Sequence, residues 1–337
     1  MKKVLITGGS GFIGSNLVLY LHEELPGVEI LNMDKLTYAA DNNHLQSLKH
    51  SNRYRFSRVD LADRPAVRDM LRRWMPDTVI HLAAESHVDN SIRGPEPFVQ
   101  SNLVGTFNLI EECRQLWNDP ELELEPGRFL HVSTDEVFGS LGEEGTFNEQ
   151  SPYAPNSPYS ATKAGSDLLV RSYHRTYGMD VVITNCSNNF GPHQHDEKLI
   201  PTVIRQALRH KPIPIYGNGK QVRDWLHVSD HCRALHLLVE QGESGEQYTI
   251  GGDNEWENIK LVEKICDLLN KRVGEGPGGD YKRMISFTSD RPGHDLRYAV
   301  DSRKLMDRTG WTPSEPFEEL LAQTVDWFAE KYMNEKK

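Results

Sequence analysis

Short apolar runs alternate with amphipathic stretches through the first half of the chain. The runs predict strands at Lys3–Thr7, Glu29–Asp34, Tyr54–Asp60, Thr78–Ala84, Arg128–Thr134 and Val181–Asn188. Between them, the spacing of apolar positions predicts helices over Gly14–Glu24, Arg64–Trp74, Phe98–Trp117 and Tyr159–Tyr177. The runs around Leu5, Val79 and Val132 are apolar without alternation, as expected of strands covered on both faces. Strand and helix in regular succession imply crossover units, and so an α/β fold with a Rossmann-type, doubly wound parallel sheet.

Beyond Gly191 the pattern loosens. Pro192, Pro201, Pro212 and Pro214 punctuate it, as does Gly217-Asn218-Gly219. Helices are expected again at Pro201–His210, Ser229–Gln241 and Asn258–Asn270, with a loop over Gly274–Asp280. The organisation expected is a nucleotide-binding domain over residues 1–190, to which segments near 220–260 return, and a smaller substrate-binding lobe over 191–337. No internal repeat or low-complexity tract is present.

Composition narrows the class. The 337 residues are 37% apolar and 26% charged, enough to bury a full core and to exclude long-range disorder. A net charge of −11 argues against general nucleic-acid binding, whose main term is phosphate neutralisation. Cys113, Cys186, Cys232 and Cys266 are scattered and form no CxxC pair, so a reduced, cytoplasmic protein is expected. The apolar start at Val4-Leu5-Ile6 is too short for an export signal, and no run is long enough to span a membrane.

Two motifs carry chemistry. Thr7-Gly8-Gly9-Ser10-Gly11-Phe12-Ile13-Gly14 follows the first strand and opens a helix. Glycine lets the backbone turn tightly and approach a pyrophosphate, which then faces helix N–H groups. Asp34 ends the next strand 20 residues after Gly14, where a carboxylate accepts from a ribose diol and repels a 2′-phosphate. NAD is therefore the expected cofactor. The second motif is Tyr159–Lys163, four apart on one helix face behind Ser157-Pro158. An ammonium, together with a nicotinamide cation, is expected to lower the phenol's pKa so that it exchanges a proton with an alcohol. A second YxxxK, Tyr216–Lys220, spans Gly217 and Gly219 and reads as a loop.

Strand Phe129–Thr134 runs directly into Asp135-Glu136, at the carboxyl end where open parallel sheets bind ligands. Position alone leaves helix capping or a catalytic role open for this pair. With Gly8–Gly14, Asp34–Ala39, Ala83–Asp89, Ser133–Glu136 and Tyr159–Lys163 together, the chain resembles the extended short-chain dehydrogenase/reductase family. Within it the similarity is to sugar-nucleotide 4,6-dehydratases. Asn185–Asn189, Glu197–Pro201, Arg223-Asp224-Trp225 and Asp290–Asp295 extend the match over nearly the whole chain. Asp135-Glu136 is the discriminating element, because the family's epimerases lack it.

The resemblance implies dehydration of dTDP-glucose on one tightly held NAD, by oxidation at C4, elimination of water across C5 and C6, and reduction at C6. Tyr159 would take the C4 hydroxyl proton, aided by Thr134 and Lys163. Glu136 would be the base at C5, and Asp135 the acid at C6. On the cofactor side it implies Gly8, Gly11, Phe12, Ile13 and Gly14, then Asp34, Lys35, Leu36 and Thr37. Asp60, Leu61, Leu82, Ala83, Ala84 and Glu85 follow, with Ser101, Asn189, Tyr159 and Lys163. For the substrate it implies Ser86, Thr134, Asn188, Lys198 and Leu199, then Pro214, Ile215, Tyr216 and Arg223, and finally Asn258, Arg291 and His294. Arginine suits a pyrophosphate because guanidinium pairs with phosphate oxygens.

A homodimer, through the Phe98–Trp117 and Tyr159–Tyr177 helices, and a place in rhamnose synthesis also follow from the resemblance alone. No metal is expected: His193–Glu197 holds ligand types in a Pro-flanked loop without convergent spacing. Another NAD-dependent sugar-nucleotide enzyme, such as a UDP-sugar epimerase or decarboxylase, shares the glycine loop, Asp34 and Tyr159–Lys163, and a dehydratase for a different nucleotide sugar shares more. A non-catalytic NAD-binding regulator would have lost Tyr159 or Lys163.

Overall fold

A computed structural model describes residues 1–290 and 292–335. The elements are, in order, β1 (Lys3–Thr7), α1 (Phe12–Glu24), β2 (Glu29–Asp34), β3 (Tyr54–Arg58), α2 (Arg64–Trp74), β4 (Thr78–His81), α3 (Val88–Arg93) and α4 (Glu96–Phe98). A π-helical stretch, Val99–Val104, leads into α5 (Gly105–Trp117). Next come β5 (Arg128–Thr134), α6 (Pro158–Tyr177), β6 (Asp180–Cys186), β7 (Asn188–Phe190), α7 (Leu199–Leu208), β8 (Ile213–Tyr216) and β9 (Val222–His227). The chain ends with α8 (Val228–Gln241), β10 (Gln247–Ile250), β11 (Glu255–Glu257), α9 (Asn258–Val273), β12 (Ile285–Thr288), α10 (Arg303–Thr309) and α11 (Phe317–Asn334).

Seven strands form the main sheet in the order β10-β6-β5-β4-β1-β2-β3, each pair parallel. The order reverses between β1 and β4, the switch point at which a doubly wound sheet opens a crevice. Successive residues of a strand point to opposite faces, and both faces are covered. Val4, Ile6, Ile80, Leu130 and Val182 pack beneath α1 and α8. Leu5, Val79, Phe129 and Val181 pack beneath α2, α5 and α6. This is why these strands carry no polar alternation. Each such side chain contributes about 1.5–3 kcal/mol on burial. A further core joins α7, α9 and α11 around Ile204, Ile265, Leu321 and Phe328, beside the short strand pair β8 and β12.

The element boundaries differ from the expected ones mainly where strands end early. β3 stops at Arg58 and β4 at His81, so that Asp60 and Leu82–Ala84 lie in the loops above the sheet. The helix expected over Phe98–Trp117 is interrupted by the π-helical stretch. There Asn102 turns inward, accepting from the Glu85 amide at 2.9 Å and donating to the Glu85 carbonyl and to Thr162 Oγ1. Thr106 Oγ1 donates to the Asn102 carbonyl at 2.6 Å, one turn back along the same stretch. Helices α3, α10 and α11 have no counterpart in the expected elements. Among the described residues, no helix is long and apolar enough to cross a membrane, and all four cysteines are free and buried.

Candidate active site

One cleft runs along the carboxyl ends of β1, β2, β4, β5 and β6 and encloses about 1540 Å³ including its open mouth. At its cofactor end, Gly8 has φ 71°, and a Cβ there would stand 2.7 Å from the Ala83 backbone. Gly14 sits so close under the loop that a Cβ would come within 2.1 Å of the Gly8 carbonyl. The helix that follows is capped by Gly11, without a side-chain hydrogen bond to its first turn. Its leading N–H groups are thus left to an anion in the cleft, at the positive end of the helix dipole.

Asp34 ends β2 at the rim of this loop and is 8% exposed. Its carboxylate accepts from the Ser10 amide at 3.1 Å and the Leu36 amide at 2.8 Å, which fixes its orientation. Burial raises its pKa, against those two amides and Lys35. The residues present therefore fit a dinucleotide: an uncapped helix end for its phosphates and an oriented carboxylate for a ribose diol. An Asp34→Asn variant is expected to bind NAD about tenfold to a hundredfold more weakly, because one charge-assisted pair is lost. Calorimetric titration of the cofactor-stripped protein measures it, and an unchanged Kd would remove Asp34 from the site.

At the other end β5 delivers Thr134, Asp135 and Glu136 into the cleft. Thr134 Oγ1 lies 3.3 Å from Asp135 Oδ1 and accepts from the Glu136 amide at 3.3 Å, so the turn is held by its own first side chain. Asp135 is 2% exposed, whereas Glu136 is partly exposed. Burial holds the Asp135 carboxyl well above the usual carboxylate range, and the neighbouring Glu136 and Asp224 add to it, against Arg223 and Thr134. Asp224 is itself buried, with its pKa pushed up to about 6 by burial despite the amides of Asn254 and Gly252.

The raised Asp224 carboxyl has a measurable consequence. The folded state holds its proton more tightly than the unfolded chain, so its stabilising contribution is complete below pH 3.8 and lost as pH rises through about 6. Denaturant titrations should fall by on the order of 3 kcal/mol across that window. Asp224→Asn should make that slope shallower, with the raised Asp135 carboxyl keeping its own share, and an unchanged slope would count against Asp224.

Opposite the acidic turn, Ser157 caps α6 in a capping box with Ser160, and Pro158 stands in the first turn. This sets Tyr159 and Lys163 on the face toward β5. The Lys163 ammonium donates to the Val132 carbonyl at 2.9 Å, and burial lowers its pKa. The lowering of the Tyr159 phenol expected from the sequence needs the nicotinamide cation as well as the ammonium; the protein's own groups act the other way. Burial and the nearby Glu136 carboxylate hold the phenol well above its ordinary value, against hydrogen bonding with Thr134.

Most of the residues singled out in the sequence line this cleft. These are Gly8, Gly11 to Gly14, Asp34, Lys35, Thr37, Asp60, Leu61, Leu82 to Ser86 and Ser101, together with Thr134 to Glu136, Tyr159, Lys163, Asn188, Asn189 and Lys198. Leu36 stays outside the lining, with its amide on Asp34. Leu199 opens α7 directly after Lys198. Pro214 and Tyr216 face outward from β8, while Ile215 points into the core of the second lobe.

Arg223 is 5% exposed and lies over the Tyr298 ring at 4.3 Å, donating to the carbonyls of Val222, Asp295 and Leu296. Asn258 opens α9, and His294 meets Asp290 at 2.5 Å. Arg291 lies outside the described residues. Cys186, Ser187, Gln194 and His195 also line the cleft and were not expected as cofactor or substrate contacts, although the Asn185–Asn189 match and the His193–Glu197 cluster contain them. For the first two, the end of the sixth predicted strand was the available signal. Glu197 bridges toward His87 at 3.5 Å and His195 at 3.7 Å across the mouth.

The chain matches the GDP-mannose 4,6 dehydratase family model over residues 5–324. It is 51% identical over 329 residues to the dTDP-glucose 4,6-dehydratase of Xanthomonas campestris pv. campestris, covering 97% of this chain and 93% of that protein. Among solved structures it is similar to DesIV, the dTDP-glucose 4,6-dehydratase of Streptomyces venezuelae, crystallised with NAD and dTDP bound. That likeness has a TM-score of 0.89 at 42% identity, over 97% of each chain. The dTDP-glucose 4,6-dehydratase of Bacillus anthracis in complex with NAD gives a TM-score of 0.88 at 38% identity, over 99% of this chain and 98% of that one.

Proposed function

The chain belongs to the GDP-mannose 4,6-dehydratase family, and from that footing we propose which of its residues perform the reaction. It is a hydro-lyase that converts dTDP-glucose to dTDP-4-dehydro-6-deoxy-D-glucose, with NAD as its cofactor. When bound, NAD supplies the hydride acceptor for C4 and, within the same turnover, the hydride donor for C6. Tyr159 takes the proton of the C4 hydroxyl while Thr134 holds that oxygen and Lys163 lends positive charge to the pair. The resulting ketone acidifies the proton at C5, which Glu136 removes. Asp135 protonates the C6 hydroxyl, and it departs as water. A proton restored at C5 leaves the sugar one water lighter with no net change of oxidation state.

The observation that carries the assignment is the contrast between two adjacent carboxyls. Asp135 is buried among acidic neighbours, which holds its carboxyl well above the usual carboxylate range, while Glu136 is partly exposed. One acid and one base on neighbouring atoms of a sugar need this difference. The nucleotide and its pyrophosphate are assigned to Ser86, Asn188, Lys198 and Leu199, with Pro214 to Tyr216, Arg223, Asn258 and His294 on the second lobe, and the sequence match adds Arg291. Residues 1–190, with β10 and α8, serve the cofactor, and residues 191–337 mainly serve the substrate. The exposed apolar side chains Val99 in the π-helical stretch, Phe107 on α5, and Leu168 and Tyr177 on α6 support a homodimer through those helices. Four unpaired cysteines support a cytoplasmic setting, and the 4-keto-6-deoxy product suits a role in making deoxysugars such as rhamnose.

The test is mass spectrometry of the purified protein incubated separately with dTDP-glucose and UDP-glucose, with no NADH added. Loss of one water from the dTDP-sugar alone is expected. A 4-epimer of unchanged mass would instead assign an epimerase.

A further inference from the structure

A row of polar side chains crosses the sheet one layer below the cleft. Thr7, His81 and His131 stand side by side on β1, β4 and β5. Thr7 Oγ1 meets His81 Nδ1 at 2.7 Å, and the His81 and His131 rings lie 5.3 Å apart. His131 Nε2 meets Asp167 Oδ1, on α6, at 3.1 Å. The other carboxylate oxygen accepts from Asn185 Nδ2 at 3.0 Å and from the Tyr153 hydroxyl at 3.1 Å. Gln247 closes the row by donating to Asn185 Oδ1 at 2.7 Å. His131, Asp167 and Asn185 are fully buried and lie outside the cleft lining.

Burying a carboxylate is costly unless its oxygens are satisfied, and an apolar plug would fill this space with less penalty. Two connections lead from Asp167 to the site. The Asn185 amide that donates to Asp167 also donates to the Thr134 carbonyl at 3.0 Å, at the last residue of β5. Lys163 stands one helical turn before Asp167 on the same helix. The geometry points to Asp167 as a positioning residue that joins the two halves of the site: through Asn185 it fixes the end of β5 that presents Thr134 to Glu136, and it places a buried negative charge behind the Lys163 ammonium. This rests on the residue roles assigned above.

The groups packed around Lys163 and Asp167 are His131 and, behind it, His81 from the sheet, Cys186 from β6, Ser166 from α6 and Tyr153 from the segment before α6. Asp167 is the carboxylate of that set. It favours the charged lysine, against the burial that disfavours it. Removing its charge therefore lets the Lys163 ammonium lose its proton at lower pH.

The test uses NAD-loaded protein and two variants, Asp167→Asn and Asn185→Ser. In Asp167→Asn the Lys163 titration, followed by NMR of 13Cε-labelled lysine, is expected to move down by on the order of one pH unit. Turnover of dTDP-glucose should fall about tenfold to a hundredfold, with KM little changed. Asn185→Ser cuts the tether to Thr134 and keeps the charge, so turnover should fall while the Lys163 titration stays in place. An unmoved titration in Asp167→Asn, or parental turnover in Asn185→Ser, would overturn the proposal. A merely structural role would lower thermal stability and leave the titration where it was. If Asp167→Asn does not fold, Asn185→Ser decides. A parent protein that fails to turn over dTDP-glucose counts against the dehydratase assignment, and the lysine titration still decides the role of Asp167.

Discussion

Tyr159→Phe should retain its fold and its NAD and lose turnover by about a hundredfold to ten-thousandfold, the range spanned by removal of a general base. The ring is 8% exposed and packs edge-on against Phe98 at 6.4 Å, so Phe keeps the packing and removes only the hydroxyl. Loss should occur at the first step: neither reduced cofactor nor 4-keto sugar forms when substrate is added. The pH profile carries the same information. Burial and Glu136 hold the resting phenol protonated through the neutral range. The rate of C4 oxidation in the parent should therefore climb with rising pH, and the residual rate of the variant should not. Near-ultraviolet absorbance of the reduced cofactor in a single turnover measures both. A variant that oxidises C4 at the parental rate would remove Tyr159 from the reaction.

The second large effect separates the two halves of the chemistry. Asp135→Asn should keep C4 oxidation within a few-fold of the parent and lower loss of water by about a hundredfold to ten-thousandfold. The amide is close in size to the carboxyl and has no proton to give to the departing hydroxyl. Because the carboxyl is held well above its usual range by burial, Glu136 and Asp224, it is the protonated form that acts in the parent. Dehydration by the parent should then weaken as pH rises through that raised value. The expected product is a 4-keto hexose, trapped by borohydride as a mixture of C4 epimers and seen at unchanged nucleotide-sugar mass. Normal release of water from the variant would assign the acid elsewhere. Together the two variants divide the turnover at the ketone.

Much of this arrangement was legible because it is local. Gly8 to Gly14, Asp34, Thr134 to Glu136 and Tyr159–Lys163 each lie within one strand end or one helical turn, and a parallel sheet gathers strand ends at one edge. The residues beyond that edge were not legible from periodicity. Arg223 looks like a solvated cation in the sequence, yet it lies over Tyr298 with three backbone carbonyls around it. Asp167 reads as a polar position on an amphipathic helix, and only tertiary packing sets it between His131 and Asn185. Helix α11 is a different case. Phe317, Leu320, Leu321, Thr324, Val325, Phe328 and Tyr332 follow a 3.6-residue period. That period is legible in the sequence.

The widened turn over Val99–Val104 ties the site to a length as well as to residue identities. Gln100 is exposed there, and exchanging it should matter little. Deleting one residue from the segment would do the opposite. It would close the widened turn into ordinary helix and shift the residues inside the stretch by about 100° around the axis. Asn102 would swing away from Glu85 and Thr162, and the loop bearing Ala83 to Ser86 would lose its fastening. Across related chains, insertions and deletions should therefore be rarer in this stretch than substitutions, because the spacing itself points Asn102 at Glu85.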